Sequence, residues 1–311
     1  MSTDPTVAIS GLKGALRYVR HYRDQTFVVK LGGDVLSDLD QLHSVAAQVS
    51  LLHSLGIRIV VVHGGGPQAT ALSRQMGVEP RMVAGRRVTD ETALRVAKMV
   101  YRGELNIDLT AALRESGIDA VGLSGVDGGL LDATRRPPVT VRDDDGVTQE
   151  VDYGFVGDIQ GVDGRVLSAL MDARFVPVLA SLAGDDEGHV YNVNADTVAT
   201  AVAIALRAQK LIFLTGAPGV LRDRTDPTTL VTFADPDDLQ ELMASGALAG
   251  GMRPKVESCI RAVQGGVERT HIIDGREGDS LLQELFTGAG CGTMIVLRKE
   301  KDAYVGTELA S

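Results

Sequence analysis

The stretch IRIVVVHGGGPQAT, residues 57–70, decides the fold. It begins with a near-continuous apolar run, which is typical of a strand buried on both faces of a parallel sheet. Three glycines follow at 64–66, and Pro67 suits the first turn of a helix. We therefore predict a strand over 57–66 and a helix over 67–76. Because the glycines have no side chains, the amides at this helix N-terminus are free to bind a carboxylate or a phosphate.

Strands and helices alternate along the rest of the chain. The other predicted strands are 26–30, 120–125, 175–182, 210–220, 268–273 and 293–297. The other predicted helices are 9–24, 39–55, a long helix after Asp90, 195–208, 235–245, 253–265 and 279–287. Residues 134–162 differ, because β-branched residues flank a DDDG turn, and they predict a β-hairpin. This alternation indicates an α/β fold with a parallel sheet, whose ligands bind at the carboxyl ends of the strands.

The composition excludes several classes of protein. The chain has 311 residues, of which 44% are hydrophobic, enough for one large domain or two ordinary ones. Acidic residues outnumber basic ones by 41 to 31, which argues against a nucleic-acid partner. No apolar run approaches the roughly 20 residues of a membrane span, and the first residues lack the pattern of a secretory signal. The two cysteines, Cys259 and Cys291, are too few for a disulfide framework, which fits the reduced cytoplasm. Taken together, these features lead us to expect a cytoplasmic protein that binds neither membrane nor nucleic acid.

Glycine is abundant and lysine is scarce, with 36 glycines and seven lysines in the chain. Lys30 ends an apolar strand and is followed by Gly32 and Gly33. Bare backbone amides beside an ammonium group make a phosphate site. A strand-end lysine that reaches solvent beside a tight turn explains this segment equally well. We favour function more clearly for the three glycines after His63, since a βα turn does not require three, and we expect His63 itself to be structural.

Two other segments, each considered alone, are better explained by a structural role than by a functional one. YNVNAD, residues 191–196, precedes a predicted helix, and Asn and Asp are preferred N-caps. Lys255, in GGMRPK, suits a surface position near the start of another helix. The sequence has no P-loop, no protein-kinase motif set, no HExxH and no CxxC. Its six histidines lack metal-ligand spacing, so we expect no metal site built by the protein.

Ten stretches, in their order and spacing, resemble the amino acid kinase family, and within it the N-acetyl-L-glutamate kinases. They are VVKLGG (28–33), VVHGGGPQ (61–68), GRRVTD (85–90), AVGLSGVDG (120–128), VGDI (156–159), GHVYNVNADTVA (188–199), KLIFLTGAPGV (210–220), GGMRPKV (250–256), HIIDGR (271–276) and LLQELFTGAGCGTMIV (281–296). The resemblance implies a three-layer αβα sandwich with a mainly parallel central sheet and two lobes. It places an N-terminal helix at 1–24, the lobe for the acyl amino acid at 25–205 and the nucleotide lobe at 206–311.

The resemblance also implies a reaction, in which ATP with Mg²⁺ phosphorylates the side-chain carboxylate of N-acetyl-L-glutamate for arginine biosynthesis. Lys30 and Lys255 would stabilise the transferring phosphoryl group, and Asp196 would orient them. The residues implied for the acyl amino acid are Gly65, Gly66, Arg87 and Asn192. Those implied for the nucleotide are Gly32, Gly33, Thr215, Gly216, Gly219, Val220, Leu221, Gly250, Gly251 and Met252.

Regulation is a further implication of the resemblance. Family members that L-arginine inhibits have an extra N-terminal helix with a tyrosine, and residues 9–24 with Tyr18 are similar to it. Glu284 and Gly292 resemble the arginine pocket, although Asp279 stands where a histidine is usual. We therefore expect inhibition by arginine and a homo-oligomer, either a dimer or a hexamer built from dimers.

Two departures from the family pattern and three alternatives remain at this point. The usual LTD is LTG, so Gly216 offers no carboxylate, and the common SGKD is SGVD, with Val126. One alternative is an arginine-sensing, non-catalytic domain like that of N-acetylglutamate synthase, although only residues 297–311 follow the matched region. Another is a kinase for an aminoadipate derivative, because one methylene gives only about 1–3 kcal/mol of discrimination. The third is a regulatory protein that binds a nucleotide or carboxylate without turnover.

Overall fold

The computed structural model describes residue 16 and residues 18–142, 148–248 and 250–300. Its strands are β1 Thr26–Leu31, β2 Arg58–His63, β3 Met82–Val83, β4 Arg86–Arg87, β5 Ala120–Ser124, β6 Leu131–Arg135, β7 Val139–Arg142, β8 Thr148–Val151, β9 Gly157–Val162, β10 Val176–Ala180, β11 Leu182–Gly184, β12 Val190–Asn192, β13 Lys210–Thr215, β14 Phe233–Ala234, β15 Arg269–Asp274 and β16 Thr293–Ile295. Its α-helices are α1 Leu39–Ser54, α2 Gly66–Gln75, α3 Glu91–Ala97, α4 Asn106–Glu115, α5 Arg165–Asp172, α6 Ala195–Ala205, α7 Pro236–Ala244, α8 Met252–Gln264 and α9 Ser280–Phe286.

A central sheet of eight strands runs in the order β14-β16-β15-β13-β1-β2-β10-β5. Its neighbours pair in parallel except β15 and β16, which are antiparallel. The predicted, mainly parallel sheet is therefore confirmed. β1 lies between β13 and β2, so the predicted boundary at residues 205 and 206 separates two strands that pair directly. That boundary stays a prediction.

Helices cover both faces of the sheet because successive side chains of each strand point to opposite sides. In β1, Phe27, Val29 and Leu31 join a core with α1, α4 and α9, whereas Val28 joins a core with α6 and α8. Fully burying each such side chain stabilises the fold by about 1.5–3 kcal/mol. The two cores give the three layers that the resemblance implied, and they put Lys30 on the same face as α6 and α8.

Residues 131–162 form two nested antiparallel pairs, β6 with β9 and β7 with β8. This confirms the predicted hairpin, whose DDDG turn lies outside the described residues. β6 also joins a second sheet, ordered β12-β11-β6-β9. Helix α5 was absent from our prediction, and it buries Leu167 and Met171 in the core that contains α6 and α8.

The long helix predicted after Asp90 is interrupted by a π-helical segment, Lys98–Leu105, between α3 and α4. Asp90 caps α3, as its side chain accepts a hydrogen bond of 2.8 Å from the amide of Ala93. π-Helical turns occur frequently at functional sites. In this chain the π segment carries Tyr101 and Leu105, which pack on the glycine turn after β2.

The N-terminal helix is described only in part. Residues 18–22 are helical, and residues 1–15 and 17 of the predicted N-terminal segment lie outside the described residues. Tyr22 is buried and packs edge-on against Phe27 and Phe286, with ring centroids 5.2 and 6.1 Å away. Among the described residues, no helix is long and apolar enough to cross a membrane.

Candidate active site

Three glycine-containing turns meet at the carboxyl ends of β13, β1 and β2, which are neighbours in the central sheet. The amide of Gly32 donates a hydrogen bond of 2.9 Å to the carbonyl of Leu214. A Cβ added at Gly33 would lie 2.6 Å from Cδ of Pro67, so the turn after β1 touches the start of α2. The predicted grouping of strand-end motifs is therefore present.

Asp196 joins the two lysines that the resemblance singled out. Its Oδ1 lies 2.7 Å from Nζ of Lys30, and its Oδ2 lies 3.3 Å from Nζ of Lys255. The side chains of Lys30 and Asp196 are only 7% and 6% exposed, whereas that of Lys255 is 21% exposed. The three groups therefore form one buried charge cluster that opens to solvent on the side of Lys255.

The pKa values in this cluster are set by two opposing effects, burial of the charged groups and their pairing with opposite charges. Burial lowers the pKa of Lys30, and the carboxylate of Asp196 offsets part of that effect. Burial alone would raise the pKa of Asp196, but the ammonium groups of Lys30 and Lys255 outweigh it and hold that pKa below its usual value. Asp196 is therefore ionised at neutral pH, and its lowered pKa makes it a weak proton acceptor that serves as the counter-ion of the two lysines.

The helix that carries Asp196 is capped by another residue of the same motif. Asn194 is the N-cap of α6, and its side chain accepts hydrogen bonds from the amides of Asp196 and Thr197, at 2.8 and 3.1 Å. The capping interpretation of YNVNAD therefore holds for Asn194. It leaves the carboxylate of Asp196 available to both lysines.

The glycine turn at 64–66 is closely packed on two sides. A Cβ added at Gly65 would lie 2.5 Å from Leu105 and 2.7 Å from Tyr101, and one at Gly64 would lie 3.3 Å from Cβ of Ala195. At Gly66, by contrast, an added Cβ would meet no atom within 4 Å. No side chain caps the start of α2, and the Cβ direction of Gly66 faces open space.

The side chain of Arg87 lies next to this turn, and that of Asn192 bonds to a residue two positions after Arg87. The Nη2 of Arg87 donates to the carbonyl of Gly66, at 2.9 Å, and to Oγ1 of Thr70, at 2.6 Å. Asn192 donates from Nδ2 to Oγ1 of the buried Thr89, at 3.2 Å. The contacts of Arg87 hold a guanidinium beside the amino end of α2, and the assignment of both residues to the acyl amino acid stays a prediction.

His63 is a buried structural residue, as expected. Its Nδ1 lies 2.9 Å from the carbonyl of Gly64 and its Nε2 lies 2.9 Å from Nδ2 of Asn106. A carbonyl only accepts, so Nδ1 carries the proton and Nε2 accepts from the amide. Burial lowers the pKa of His63 to about 4, so the ring is neutral at pH 7.

A cleft of about 420 Å³ lies beside Lys255. Six of the ten residues predicted for the nucleotide line it: Thr215, Gly216, Leu221, Gly250, Gly251 and Met252. Gly32 and Gly33 adjoin Lys30, and Val220 is fully buried with Gly219 packed against Thr293. Within the described residues, no group of three or more His, Cys, Asp and Glu side chains could hold a metal ion.

Asp34 lines the same cleft, although it was not predicted as a site residue. A Cβ added at Gly216 would lie 3.3 Å from Oδ2 of Asp34. The missing side chain of Gly216 was noticed in the sequence, but only the fold places Asp34 in front of it. The signal available in the sequence was an acidic residue directly after a glycine pair that suits phosphate.

The three residues predicted for arginine lie in one neighbourhood. Glu284 is buried, and its Oε2 accepts hydrogen bonds from the amides of Cys291 and Gly292, at 2.7 and 3.0 Å. Its Oε1 lies 2.7 Å from Nδ1 of His271. The ring of Tyr18 meets the ring of Phe286, on the same helix as Glu284, edge-on at 6.1 Å.

A second buried lysine extends this cluster. The Nζ of Lys210 lies 3.1 Å from Nε2 of His271 and 5.3 Å from the ring centre of Tyr22. Burial lowers the pKa of Lys210 to about 7 and that of His271 to about 4. Burial would raise the pKa of Glu284, yet its hydrogen bonds with His271 and the two amides hold it at about 2. We had not predicted Lys210 or His271.

The main site can stabilise negative charge that passes between two anions. Two ammonium groups and an oriented carboxylate lie between the cleft and the glycine turn, where no side chain caps the start of α2. Preorganised charges of this kind lower the barrier to phosphoryl transfer without a general base. The cleft offers space for a nucleotide on one side, and Arg87 offers a donor for a second anion on the other.

Comparison with known proteins agrees with this chemistry. The sequence profile of the amino acid kinase family matches residues 25–274. The acetylglutamate kinase of Myxococcus xanthus is 49% identical over 298 residues, which cover 95% of this chain and 96% of that protein.

Solved structures give the same picture of the fold. The N-acetylglutamate synthase of Neisseria gonorrhoeae, complexed with coenzyme A and N-acetyl-glutamate, has a TM-score of 0.79 at 32% identity. The match covers 93% of this chain and 63% of the synthase chain. The same synthase complexed with coenzyme A and L-arginine has a TM-score of 0.77 at 28% identity, over 93% of this chain and 65% of that chain. Carbamate kinase from Giardia lamblia shares the fold, with a TM-score of 0.61 at 18% identity over 88% of this chain and 99% of that chain.

Proposed function

The chain belongs to the amino acid kinase family, and we propose that it transfers the γ-phosphoryl group of ATP to the side-chain carboxylate of N-acetyl-L-glutamate, a step of arginine biosynthesis. The observation that carries the proposal is the cluster of Lys30, Asp196 and Lys255 between the glycine turn and the cleft. The acetylglutamate kinase named above, which matches almost end to end, supports the choice of acceptor.

The reaction needs no general base. A glutamyl side chain has a pKa of about 4.3, so the acceptor is already a carboxylate at pH 7. One of its oxygens attacks the γ-phosphorus while the bond from that phosphorus to the β–γ bridging oxygen breaks, and ADP leaves with the bridging oxygen. The products are N-acetyl-L-glutamyl 5-phosphate and ADP.

The residues of this chain position the acceptor carboxylate and the triphosphate, two anions, next to each other. Lys30 and Lys255 face the phosphoryl group as its charge redistributes, and Asp196 fixes both ammonium groups. Arg87 and Asn192 orient the acyl amino acid against the amides of Gly65 and Gly66. Mg²⁺ bound to ATP supplies further neutralisation of the phosphates. We propose a cytoplasmic location for this biosynthetic enzyme.

An acyl-phosphate trap tests the proposal. The protein is incubated with Mg·ATP, hydroxylamine and an acetylated acceptor, and the hydroxamate and ADP are counted. We expect equal amounts of both with N-acetyl-L-glutamate, and less with N-acetyl-L-aspartate and N-acetyl-L-2-aminoadipate. Lys30→Ala should abolish most of the signal, whereas Lys299→Ala, at an exposed position, should not change it. No hydroxamate with any acceptor would refute the kinase, and a preference for the aminoadipate derivative would refute the substrate.

We also propose that L-arginine inhibits the enzyme through the cluster around Glu284. A guanidinium or α-amino group suits a buried carboxylate, and the amides of Cys291 and Gly292 already define its orientation. Tyr18 comes from the N-terminal helix, so a ligand there would connect that helix to α9. The synthase solved with L-arginine supports this choice of ligand.

Inhibition and assembly are tested together. Millimolar arginine should lower the hydroxamate yield of the wild type, and Glu284→Gln should reduce that effect while Glu241→Gln, on α7, should keep it. The proposed homo-oligomer is measured by the solution mass, where a hexamer or a dimer is expected. Activity indifferent to arginine in the wild type would refute the inhibition, and a monomeric mass would refute the assembly.

A further inference from the structure

Asp34 is an acidic residue in a cleft whose other charged lining residues are cations. It lines the cleft with Arg224 and Lys255, and it is the only carboxylate among the described lining residues. It precedes a short 3₁₀ helix, Val35–Ser37, but its side chain makes no capping hydrogen bond there. The carboxylate is exposed, so it faces whatever occupies the cleft.

The position of Asp34 depends on the glycine opposite. A Cβ added at Gly216 would lie 3.3 Å from Oδ2 of Asp34 and 3.7 Å from Cζ of Arg276. Arg276 gives its hydrogen bonds, of 2.9 and 2.7 Å, to Asp274, and Asp34 is a weaker electrostatic partner of the same guanidinium. The absence of a side chain at 216 thus leaves room for a carboxylate supplied by the turn after β1.

A bare carboxylate is unfavourable beside a triphosphate, because the two repel each other across the cleft. A divalent cation between them reverses the sign of that interaction. Magnesium in proteins is held by one or two carboxylates together with substrate phosphates, and it keeps several waters. One carboxylate, with no cluster of three acidic or imidazole groups in the described residues, fits an ion that arrives with the nucleotide.

We propose that Asp34 faces the magnesium ion of the bound nucleotide, and that it makes the cleft select the metal-loaded nucleotide over the metal-free one. This inference rests on the proposed function in taking ATP as the nucleotide. It assigns to Asp34 a specificity that neither lysine provides, since an ammonium group attracts both forms of the nucleotide. It also gives Gly216 a role, which is to leave the space that this carboxylate occupies.

Nucleotide binding, measured by titration calorimetry with no acceptor present, tests the inference. The dissociation constant of ATP is determined in excess Mg²⁺ and again in EDTA for the wild type, Asp34→Asn and the surface control Asp172→Asn. The wild type should prefer Mg·ATP by tenfold or more. Asp34→Asn should bind Mg·ATP about tenfold more weakly and metal-free ATP at least as tightly as before. Asp172→Asn should behave as the wild type.

A double variant separates this role from a structural one. Asp34→Gly combined with Gly216→Asp returns a carboxylate to the same space from the other strand, and it should recover part of the preference for Mg·ATP. An equal change in both affinities on Asp34→Asn, or a wild type without preference, would overturn the inference. If the wild type binds neither form of ATP, the proposed function itself fails. Thermal unfolding of each variant verifies that it is folded.

Discussion

Replacing Asp196 by Asn removes one negative charge from between two lysines and leaves the side-chain shape nearly unchanged. At the observed 2.7 and 3.3 Å, and with an effective dielectric constant of about 20, the two attractions are about 6 and about 5 kcal/mol. Desolvation of the buried groups opposes most of this. Removing one partner of a buried pair costs about 3–5 kcal/mol, because the remaining charge is left without compensation.

Two measurable effects follow for Asp196→Asn. We expect kcat to fall by about 100- to 1000-fold, the range found when a preorganised charge is removed from an active site. Without Asp196, burial and Lys255 lower the pKa of Lys30 still further. A neutral Lys30 then forms at a lower pH, so the alkaline limb of the kcat profile should move toward lower pH.

The assay is the hydroxamate trap, run from pH 6 to pH 10 with both substrates saturating. Asp172→Asn is a matched control, because Asp172 also pairs with a cation at 2.7 Å, but its side chain is 67% exposed. Exposed pairs contribute only about 0–1 kcal/mol, so this control should keep the wild-type profile and melting temperature. An Asp196→Asn enzyme with wild-type kcat and an unmoved alkaline limb would refute the assigned role of the cluster.

Three more predictions follow from the packing of the site. Gly65→Ala places a Cβ 2.5 Å from Leu105, so we expect the free energy of unfolding to fall by about 1–3 kcal/mol and the KM for the acyl amino acid to rise. Gly66→Ala points its Cβ into open space and should have the melting temperature of the wild type. Arg87→Lys removes the planar guanidinium, whose Nη2 already donates to Gly66 and Thr70, and with it the paired donors that bind a carboxylate. It should raise the KM for the acyl amino acid at least tenfold with the KM for ATP unchanged. His63 has a pKa of about 4 in the folded protein and about 6.5 in the unfolded chain, so between these values only the unfolded chain binds the proton. The free energy of unfolding, measured in urea, should therefore fall by up to about 3 kcal/mol as the pH is lowered from about 6.5 to about 4. His63→Gln should abolish this part of the pH dependence.

The parallel sheet and the glycine-rich strand ends at the site could be predicted from the sequence because they depend on local patterns. Apolar runs of strand length ending in glycine set β1, β2 and β13, and the rule for parallel sheets puts their carboxyl ends together. Lys30 was therefore recognisable as a possible phosphate ligand from its own segment. The turn at 64–66 was recognisable in the same way.

The partners of Lys30 were not predictable from local patterns. Asp196 and Lys255 are separated by most of α6 and by β13, β14 and α7, and each alone suits an ordinary helix start. Only the resemblance to a family joined them before the fold did. The resemblance assigned no role to Asp34 or Lys210. For Asp34 the local signal was its position after the glycine pair, whereas a single lysine in an apolar strand, such as Lys210, has no pattern that distinguishes a cleft from solvent.

The π segment and α5 were missed for a different reason. A π turn differs from an α turn by one residue, and the spacing of apolar residues in Lys98–Leu105 still resembles an ordinary helix. Helix α5 is only eight residues long and follows a strand-rich region. Short elements depend on tertiary packing more than on propensity, so their own sequence is a weak indicator.

The glycine turns described above bear on how the site moves. Glycine-rich loops are commonly associated with mobility, yet a Cβ at Gly33 or Gly65 would overlap Pro67 or Leu105. Here the missing side chains allow neighbouring segments to interlock, so the backbone amides should have the high order parameters of rigid secondary structure. The enzyme then orients these amides while it folds, and little reorganisation remains for the moment of phosphoryl transfer.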